Sequence, residues 1–319
     1  MKINSFSPIL SVVVFTFLFF ACGQEKKAKS QSAPAPTPPK AQVVLKTQTT
    51  PFVLEEKAEI KSAYAKQDKL TVPDDLAPQN KWVMFEGPVL ENELIAYRFY
   101  LDSRHRSDIY GKKTNDLVMD TVGWDYHDIM DWGSDILKVG SSLGIGAPAI
   151  LYQDSLYTLS DYREKTIEVV KGSGQMASVR YQFKDLTIGE EQRDITQIWS
   201  IETGRPHAKV QLIVEGGELP KGARFATGIV KHLPTAEHGN TANTFYLFNW
   251  GKQSYHEQNM GMGIIANKDY SPIIVDHPLS HILAFDNAAQ KVEYEFAAAW
   301  ENDVMAIKDE AEFKALLLK

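Results

Sequence analysis

The amino-acid sequence predicts an all-β fold, a large antiparallel β-sandwich with few short helices. Apolar and polar residues alternate with a period of two through most of the chain after residue 52, and this is the period of a strand with one buried face. Turn-forming residues recur at short intervals, and long helical patterns are scarce. Many strands with few crossover helices favour a sandwich or barrel, so we expect residues 52–319 to form a single β-sandwich domain.

The segment ELIAYRFYLD illustrates the alternation. Ile95, Tyr97 and Phe99 share one face of the predicted strand, whereas Arg98 and Tyr100 lie on the other. Further strands with the same pattern are predicted at residues 178–188, 205–222, 223–233, 243–251, 260–267, 271–276, 281–287 and 291–300.

Two segments have a helical pattern instead, residues 55–67 and residues 309–319. The chain has no internal repeat. It also lacks the glycine-rich dinucleotide and Walker loops, the GxSxG nucleophile elbow, the HExxH zinc motif and the EF-hand loop. The enzyme classes that depend on these motifs are therefore disfavoured.

The N-terminus combines a positive start, an apolar run over residues 9–21 and Cys22, which is the only cysteine. The run is too short for a bilayer-spanning helix, which needs about 20 residues. The segment LFFAC is similar to a bacterial lipobox, so residues 1–21 are predicted to be a lipoprotein signal peptide and Cys22 its lipidation site. The alternative is a plain signal peptide cleaved near Ala21, or an uncleaved anchor.

Residues 22–51 are rich in Pro, Lys and Ser and poor in large apolar side chains. Such a composition cannot offset the entropy of ordering, so the segment is predicted to be a disordered tether. We expect a protein that is lipid-anchored to the outer membrane, on its periplasmic side or at the cell surface. The formal net charge of −7 gives no basic field for nucleic acid, which is excluded as a partner.

The alternation breaks between residues 102 and 148. Within this excursion, the segment WDYHDIMDWGSDILKVG concentrates Trp, Tyr, His and Asp side chains. A long, ordered, aromatic and polar excursion in a sandwich is usually functional. Aromatic faces suit stacking on sugar rings, and charged side chains suit hydroxyls and carboxylates, so we interpret the segment as the wall of a sugar-binding cleft.

Three chemistries fit the excursion. The first is binding of a divalent metal by carboxylates and one imidazole, for which the candidates are Asp125, His127, Asp128, Asp131 and Asp135. The second is inverting hydrolysis by two carboxylates, although no pair stands out among the many acids. The third is β-elimination on a uronic acid, which needs a base of tuned pKa, an acid for the leaving oxygen and cations for the carboxylate.

The third chemistry gives two groups of candidate site residues. The candidate catalytic residues are His127, His207, Tyr126 and Tyr110. The candidate substrate-binding residues are Arg98, Arg104, Lys231, Trp124 and Trp132. His207 and Arg98 each lie opposite the apolar face of a strand, so both can point into one cleft if the strands share a face. For every one of these residues, a surface charge, a turn or a packing role is the alternative.

The segments YRFYLDSRHRSDIYGKKT, YHDIMDWGSDILKVGSSLGIGAPAI and FATGIVKHLP resemble a domain of unknown function in Bacteroidetes lipoproteins. Genes of that family lie in polysaccharide-utilisation loci, beside enzymes that act on uronic-acid polysaccharides such as ulvan. The resemblance is strongest to oligosaccharide dehydratases of ulvan breakdown. It implies a β-sandwich, of which the mutarotase-like super-sandwich is one version.

The resemblance implies an oligosaccharide dehydratase that acts on a non-reducing-end glucuronic acid and leaves a 4,5-unsaturated uronyl end. The expected partner is a uronic-acid-containing oligosaccharide, with no cofactor and with the protein as a monomer. Divalent metal stays open as the minor alternative. The alternative functions are a non-catalytic glycan-binding lipoprotein, a uronic-acid polysaccharide lyase and a sugar epimerase.

Overall fold

A computed structural model describes residues 40–49 and 63–319. The structure is mostly β, with 49% of residues in strands and 6% helical. All strand pairs within the described ranges are antiparallel. The predicted fold class, an all-β antiparallel sandwich, is confirmed.

The largest sheet has nine strands in the described part of the chain. In spatial order they are β17 (Glu237–Asn240), β18 (Thr244–Lys252), β19 (Asn259–Asn267), β22 (Lys291–Trp300), β15 (Ala208–Val214), β14 (Glu191–Glu202), β13 (Met176–Ile188), β11 (Glu164–Lys171) and β4 (Lys69–Val72). Hairpin turns connect β13 to β14, β14 to β15 and β18 to β19. The central strand β22 instead pairs with β15 and β19, which are both distant from it in the sequence.

Three smaller sheets complete the strand content of the described ranges. A six-stranded sheet runs in the order β12 (Ser173–Gly174), β1 (Ala41–Val44), β5 (Val89–Glu91), β6 (Ile95–Phe99), β7 (Ser107–Lys112) and β8 (Gly133–Asp135). A five-stranded sheet runs in the order β10 (Ser155–Thr158), β9 (Ala149–Tyr152), β16 (Arg224–Val230), β21 (Ser280–Phe285) and β20 (Pro272–Val275). A two-stranded sheet pairs β2 (Lys46–Gln48) with β3 (Tyr64–Lys66).

The core lies between the inner face of the nine-stranded sheet and the two sheets of intermediate size. Phe99 of β6 packs against Trp199 of β14, with ring centroids 4.9 Å apart. Phe285 of β21 stacks on Tyr294 of β22 at 5.8 Å. These buried rings join the layers and contribute large apolar surfaces to the core.

The predicted faces of β6 are confirmed. Tyr97 and Phe99 point into the core, whereas Arg98 lies on the opposite face and faces a second, smaller cluster of buried rings. The predicted C-terminal helix is also confirmed as α1 (Glu310–Leu317). The side chain of Asp309 caps it by accepting from the backbone N–H of Glu312 at 2.9 Å.

Two sequence predictions are wrong within the described ranges. The tether was expected to extend to residue 51, but β1 and β2 lie inside that segment, and β1 pairs with β5 through Val43 and Leu90. The alternating run QVVLKT is apolar enough to add a strand to the sheet. The helix expected at residues 55–67 ends in a strand, because Tyr64–Lys66 is β3. The rest of that helix, and the signal peptide with Cys22, lie outside the described residues.

Candidate functional site

A cleft of about 300 Å³ opens beside the six-stranded sheet, on the face that points away from the core. It lies where β6 ends, next to β7 and β8, and a turn from the nine-stranded sheet (residues 253–258) closes one side. Its ionisable and aromatic lining consists of Tyr100, Arg104, Arg106, Asp108, His127, Asp135, Lys138 and Tyr255. The convergence of so many polar groups in one concavity marks it as the candidate site.

Arg98 lies beneath the cleft with only 1% of its surface exposed. Strand pairing places its partners, because Arg98 lies opposite Asp108. Its Nη2 atom donates to the carboxylate of Asp108, to Asp135 at 3.2 Å and to the hydroxyl of Tyr100 at 2.7 Å. Arg98 was predicted to clamp a substrate carboxylate, but the chain's own carboxylates occupy its guanidinium. It is their buried counter-ion.

His127 and Asp135 form a dyad at the cleft. The Nδ1 atom of His127 lies 3.3 Å from Oδ2 of Asp135. The carboxylate is buried, whereas 54% of the imidazole side chain is exposed. The hydrogen bond to Asp135 raises the pKa of His127 above its ordinary value, and burial only partly opposes this. A proton held on Nδ1 leaves the lone pair on Nε2, so His127 can act as a base.

Tyr100 and Asp108 form a second proton-bearing pair. The Tyr100 hydroxyl donates to Oδ2 of Asp108 at 2.8 Å. Burial, and the neighbouring charge of Asp135, raise the pKa of Asp108 to about 6, although Arg98 opposes the shift. Burial also raises the pKa of Tyr100. Asp108 therefore holds its proton to a higher pH than a free aspartate and can supply it to the pair, whereas the Tyr100 hydroxyl is a weaker acid than free tyrosine and needs that supply in order to donate.

Three cationic side chains, Arg104, Arg106 and Lys138, also line the cleft. Arg104 binds Glu86 at 3.0 Å and also Asp102, and its guanidinium lies 4.0 Å from the Tyr100 ring centroid. Arg106 donates to the backbone carbonyl of Gly140. Among the described residues, no carboxylate forms an ion pair with Arg106 or with the exposed Lys138. The cleft can therefore attract an anionic ligand.

Tyr255 forms the wall that comes from the nine-stranded sheet. Its ring is 49% exposed and lies 5.8 Å from the imidazole of His127, at an interplanar angle of 33°. The turn is fixed to the site, because the Tyr255 N–H donates to the carbonyl of Ile136 at 2.7 Å. The ring of His256 bonds the hydroxyl of Ser134 at 2.8 Å. A large exposed ring held in this way offers a flat surface for a sugar.

A buried ion pair positions the loop that carries His127. Lys112 lies 2.8 Å from Glu91, and both side chains are fully buried. Glu91 also accepts from the backbone N–H groups of Val118 and Met119, at 2.7 Å and 3.1 Å. The start of the excursion between β7 and β8 is thereby attached to the sheet. The order of this polar loop depends on that attachment.

Other predicted residues support the cleft without lining it. The hydroxyl of Tyr126, which is 3% exposed, accepts from Arg98 at 2.9 Å. Tyr110 is fully buried and packs against the Tyr126 ring at 5.6 Å. Trp124 donates to the Tyr64 hydroxyl at 3.3 Å, and Trp132 packs 6.3 Å from Tyr110. These four side chains build the apolar cluster behind Arg98, so they hold the site in place.

Two predicted residues lie elsewhere. His207 is 4% exposed, at the start of the nine-stranded sheet's β15, and its Nε2 atom lies 3.0 Å from the carbonyl oxygen of Leu317. Lys231 follows β16 and pairs with Asp276 at 3.2 Å. The idea that His207 shares a cleft with Arg98 is wrong, because the two strands belong to different sheets. Alternation identifies the face of a strand but not the sheet that it joins.

The described ranges contain no group of three or more His, Cys, Asp or Glu side chains arranged to hold a metal ion. The five candidates for such a site, between residues 125 and 135, are thus not brought together as ligands. A search of the same ranges for a helix with the length and apolarity to cross a membrane finds none.

The profile of the domain of unknown function DUF4861 matches residues 15–319. The chain belongs to the DUF4861 family. No curated protein matches this DUF4861 member.

Among solved structures, the α-N-acetylgalactosaminidase NagBb of Bifidobacterium bifidum, in complex with GalNAc, is similar to this DUF4861 protein with a TM-score of 0.30 and 11% identity. The match covers 66% of this chain and 36% of that enzyme. The chain thus spans about a third of the enzyme's length, and a likeness at this level supports no inference about activity.

Proposed function

We propose that this DUF4861 protein is an oligosaccharide dehydratase, a carbon–oxygen lyase. It would remove water from the non-reducing-end glucuronic acid of ulvan-type oligosaccharides and leave a 4,5-unsaturated uronyl end. The observation that carries the proposal is the half-exposed His127 imidazole, held by buried Asp135 in a cleft with a second proton-bearing pair. The resemblance of the sequence to dehydratases of ulvan breakdown selects the substrate.

The reaction breaks the C5–H and C4–O bonds of the sugar and forms a C4=C5 double bond. Nε2 of His127 takes the C5 proton, and the electron pair left on C5 forms the double bond. The C4 hydroxyl leaves as water, with the proton of the Tyr100 hydroxyl. Asp108 passes its own proton to the Tyr100 oxygen, 2.8 Å away, as that hydroxyl donates, so no phenolate accumulates. Arg98 stabilises the negative charge left on Asp108. Proton exchange with solvent restores His127 and Asp108.

The substrate carboxylate gains negative charge as the C5 proton leaves. Arg104, Arg106 and Lys138 line the cleft and stabilise that charge. Tyr255 supports the sugar ring beside His127. This arrangement gives a role to Arg106 and Lys138, which have no ion-pair partner among the residues that the structure describes and border a site with two buried carboxylates.

The steps are proton transfers by the chain's own side chains, so we propose that the enzyme works without a cofactor and as a monomer. Lipid attachment at Cys22 would hold it at the outer membrane, on the periplasmic side or at the cell surface. There it would act in polysaccharide degradation, upstream of a hydrolase that removes the unsaturated sugar.

The test is the ultraviolet absorbance of the conjugated unsaturated uronate. The purified protein is incubated with saturated, glucuronate-ended oligosaccharides, and chain length is followed by mass spectrometry. A parallel sample contains EDTA. We expect absorbance to rise and each chain to lose one water without becoming shorter, with or without EDTA.

Other outcomes would replace the proposal. Rising absorbance together with new short chains would indicate a lyase, and loss of activity in EDTA would indicate a metal enzyme. Inverted stereochemistry without absorbance would indicate an epimerase. Binding without any reaction would indicate a glycan-binding lipoprotein, in which Tyr255 serves as the contact surface.

A further inference from the structure

A second concavity lies on the outer face of the nine-stranded sheet, away from the cleft. It measures about 310 Å³, similar to the cleft. Its polar lining consists of Asn243, Thr244, Asn267, Tyr270, Glu293 and Glu295. We refer to it as the sheet groove. The proposed dehydratase mechanism does not use this groove.

The groove exists because α1 covers only part of the sheet face. In β19, a Cβ added to Gly261 would lie 2.5 Å from Phe313 of α1, and one added to Gly263 would lie 2.5 Å from Leu317. These glycines let the helix approach the sheet. The next outward-facing positions of β19 are Ile265 and Asn267, and both line the groove.

The outward-facing side chains of the neighbouring strand β22 also change in character along the strand. Ala297 and Ala299 lie in the apolar cluster under α1, whereas Glu293 and Glu295 line the groove. The outward-facing positions of β22 thus change from small to acidic where the helix ends, and those of β19 change from glycine to one apolar and one polar side chain, Ile265 and Asn267. The Lys268–Tyr270 turn adds a wall through Tyr270. The result is a concave polar surface instead of a flat solvated face.

The charges of the groove are compensated internally. Glu293 accepts from Lys209 at 3.0 Å and from Gln211 at 3.1 Å. Glu295 accepts from Arg205 at 2.5 Å. A cationic ligand is therefore not required for charge balance, and an anionic ligand would meet two carboxylates. A carboxylate can accept up to about four hydrogen bonds, so both acids retain acceptor capacity for neutral donors.

A smaller recess of about 120 Å³ neighbours the groove and shares Glu295 with it. The recess is also lined by Ser200, Arg205 and His207. His207 is 96% buried, and its Nδ1 atom has no hydrogen-bond partner in the described part of the chain. A buried polar atom of this kind costs free energy unless a ligand or water bonds it.

We infer that the sheet groove is a second saccharide-binding site, which takes neutral sugar residues. A sugar presents hydroxyls that both donate and accept, and these suit the paired acids, amides and threonine hydroxyl of the groove. It also presents apolar C–H faces, which suit Ile265 and the ring of Tyr270. The groove thus selects neutral parts of a glycan, whereas the cleft selects an anionic end.

The test uses neutral tetrasaccharides of glucose, xylose, mannose and galactose as probes. Binding to the folded protein is measured by saturation-transfer NMR and titration calorimetry. We expect at least one probe to bind, and Glu293→Gln to weaken it by about 10-fold, the size of one hydrogen bond to a charged group. Asn243→Ala tests the same site at an exposed residue, in case Glu293→Gln does not fold. The exposed turn residue Glu190 provides the control, as Glu190→Gln.

The inference is upheld if the groove variants lose binding while Glu190→Gln and His127→Ala retain it. It is overturned if no neutral probe binds, or if neither groove substitution changes the affinity for the probe. It is also overturned if Glu293→Gln abolishes binding of calcium ions in protein that binds no saccharide. These probes contain no uronate, so the outcome is independent of the dehydratase assay.

Discussion

The cleft and the sheet groove are similar in volume and both are polar, but their charges are arranged differently. In the groove each carboxylate has a cation of its own, and Lys209 keeps the pKa of Glu293 low although burial opposes this. In the cleft two carboxylates share Arg98, and the pKa of Asp108 is raised to about 6. A carboxylate that has a cation of its own is suited to ligand binding. Carboxylates that share one cation are suited to proton transfer.

The difference shows why the number of acids in a concavity does not identify a catalytic site. The cleft differs in two ways: its two buried carboxylates share a single guanidinium, and it includes an exposed imidazole. The groove offers hydrogen-bonding capacity, and each of its two carboxylates is paired with a cation. We therefore expect substitutions in the cleft to change turnover, and substitutions in the groove to change only binding.

The largest effect is expected from His127→Ala. Loss of the base should lower kcat by at least about 100-fold, the usual contribution of general acid–base catalysis. Substrate binding should change little, because the cations and Tyr255 remain. Steady-state absorbance assays give kcat, and calorimetry with the inactive variant gives the Kd. His238→Ala, at an exposed imidazole in β17, is the control. Equal losses in both variants would remove His127 from the mechanism.

Tyr100→Phe should also lower kcat by about 100-fold, because the hydroxide leaving group then departs without a proton. An O4-acetylated analogue separates this role from a structural one. Acetate leaves without protonation, so the variant should recover most of its activity on the analogue. A variant equally slow on both substrates would show that Tyr100 does not act as the acid.

Asp135→Asn should shift the pH profile. His127 is active as a base only when neutral, so kcat/KM rises with pH through its pKa, which Asp135 holds above 6.5. The variant should lower this pKa, move the rising limb to lower pH and reduce the maximum by about 10-fold or more through loss of the correct tautomer. NMR titration of the imidazole provides the direct check. The exposed Asp116, changed to Asn, is the control, and an unmoved limb would contradict the dyad.

The sequence predicted part of this site for sound physical reasons. Strand periodicity placed Arg98 and Tyr100 on one face, and the break in periodicity marked the loop that carries His127. Periodicity cannot predict which strands become neighbours, so the pairing that brings Asp108 to Arg98 was missed. Tyr255 was also missed, because its turn belongs to another sheet and has no pattern that links it to the cleft.

The smallest effect is expected from Lys138→Ala, and it separates the two concavities by their response to salt. Lys138 is exposed, so its loss should raise KM for the uronate substrate by no more than about fivefold and leave kcat unchanged. Added salt should raise KM in the parent protein and have less effect in the variant, because screening weakens attraction of an anion. Lys252→Ala, an exposed site at the end of β18, is the matched control.

Neutral tetrasaccharides in the sheet groove should bind equally well at low and high salt in the parent protein, in Lys138→Ala and in Lys252→Ala. Salt-sensitive binding of a neutral probe would mean that the groove also selects charge, and the division between an anionic end and a neutral chain would fail.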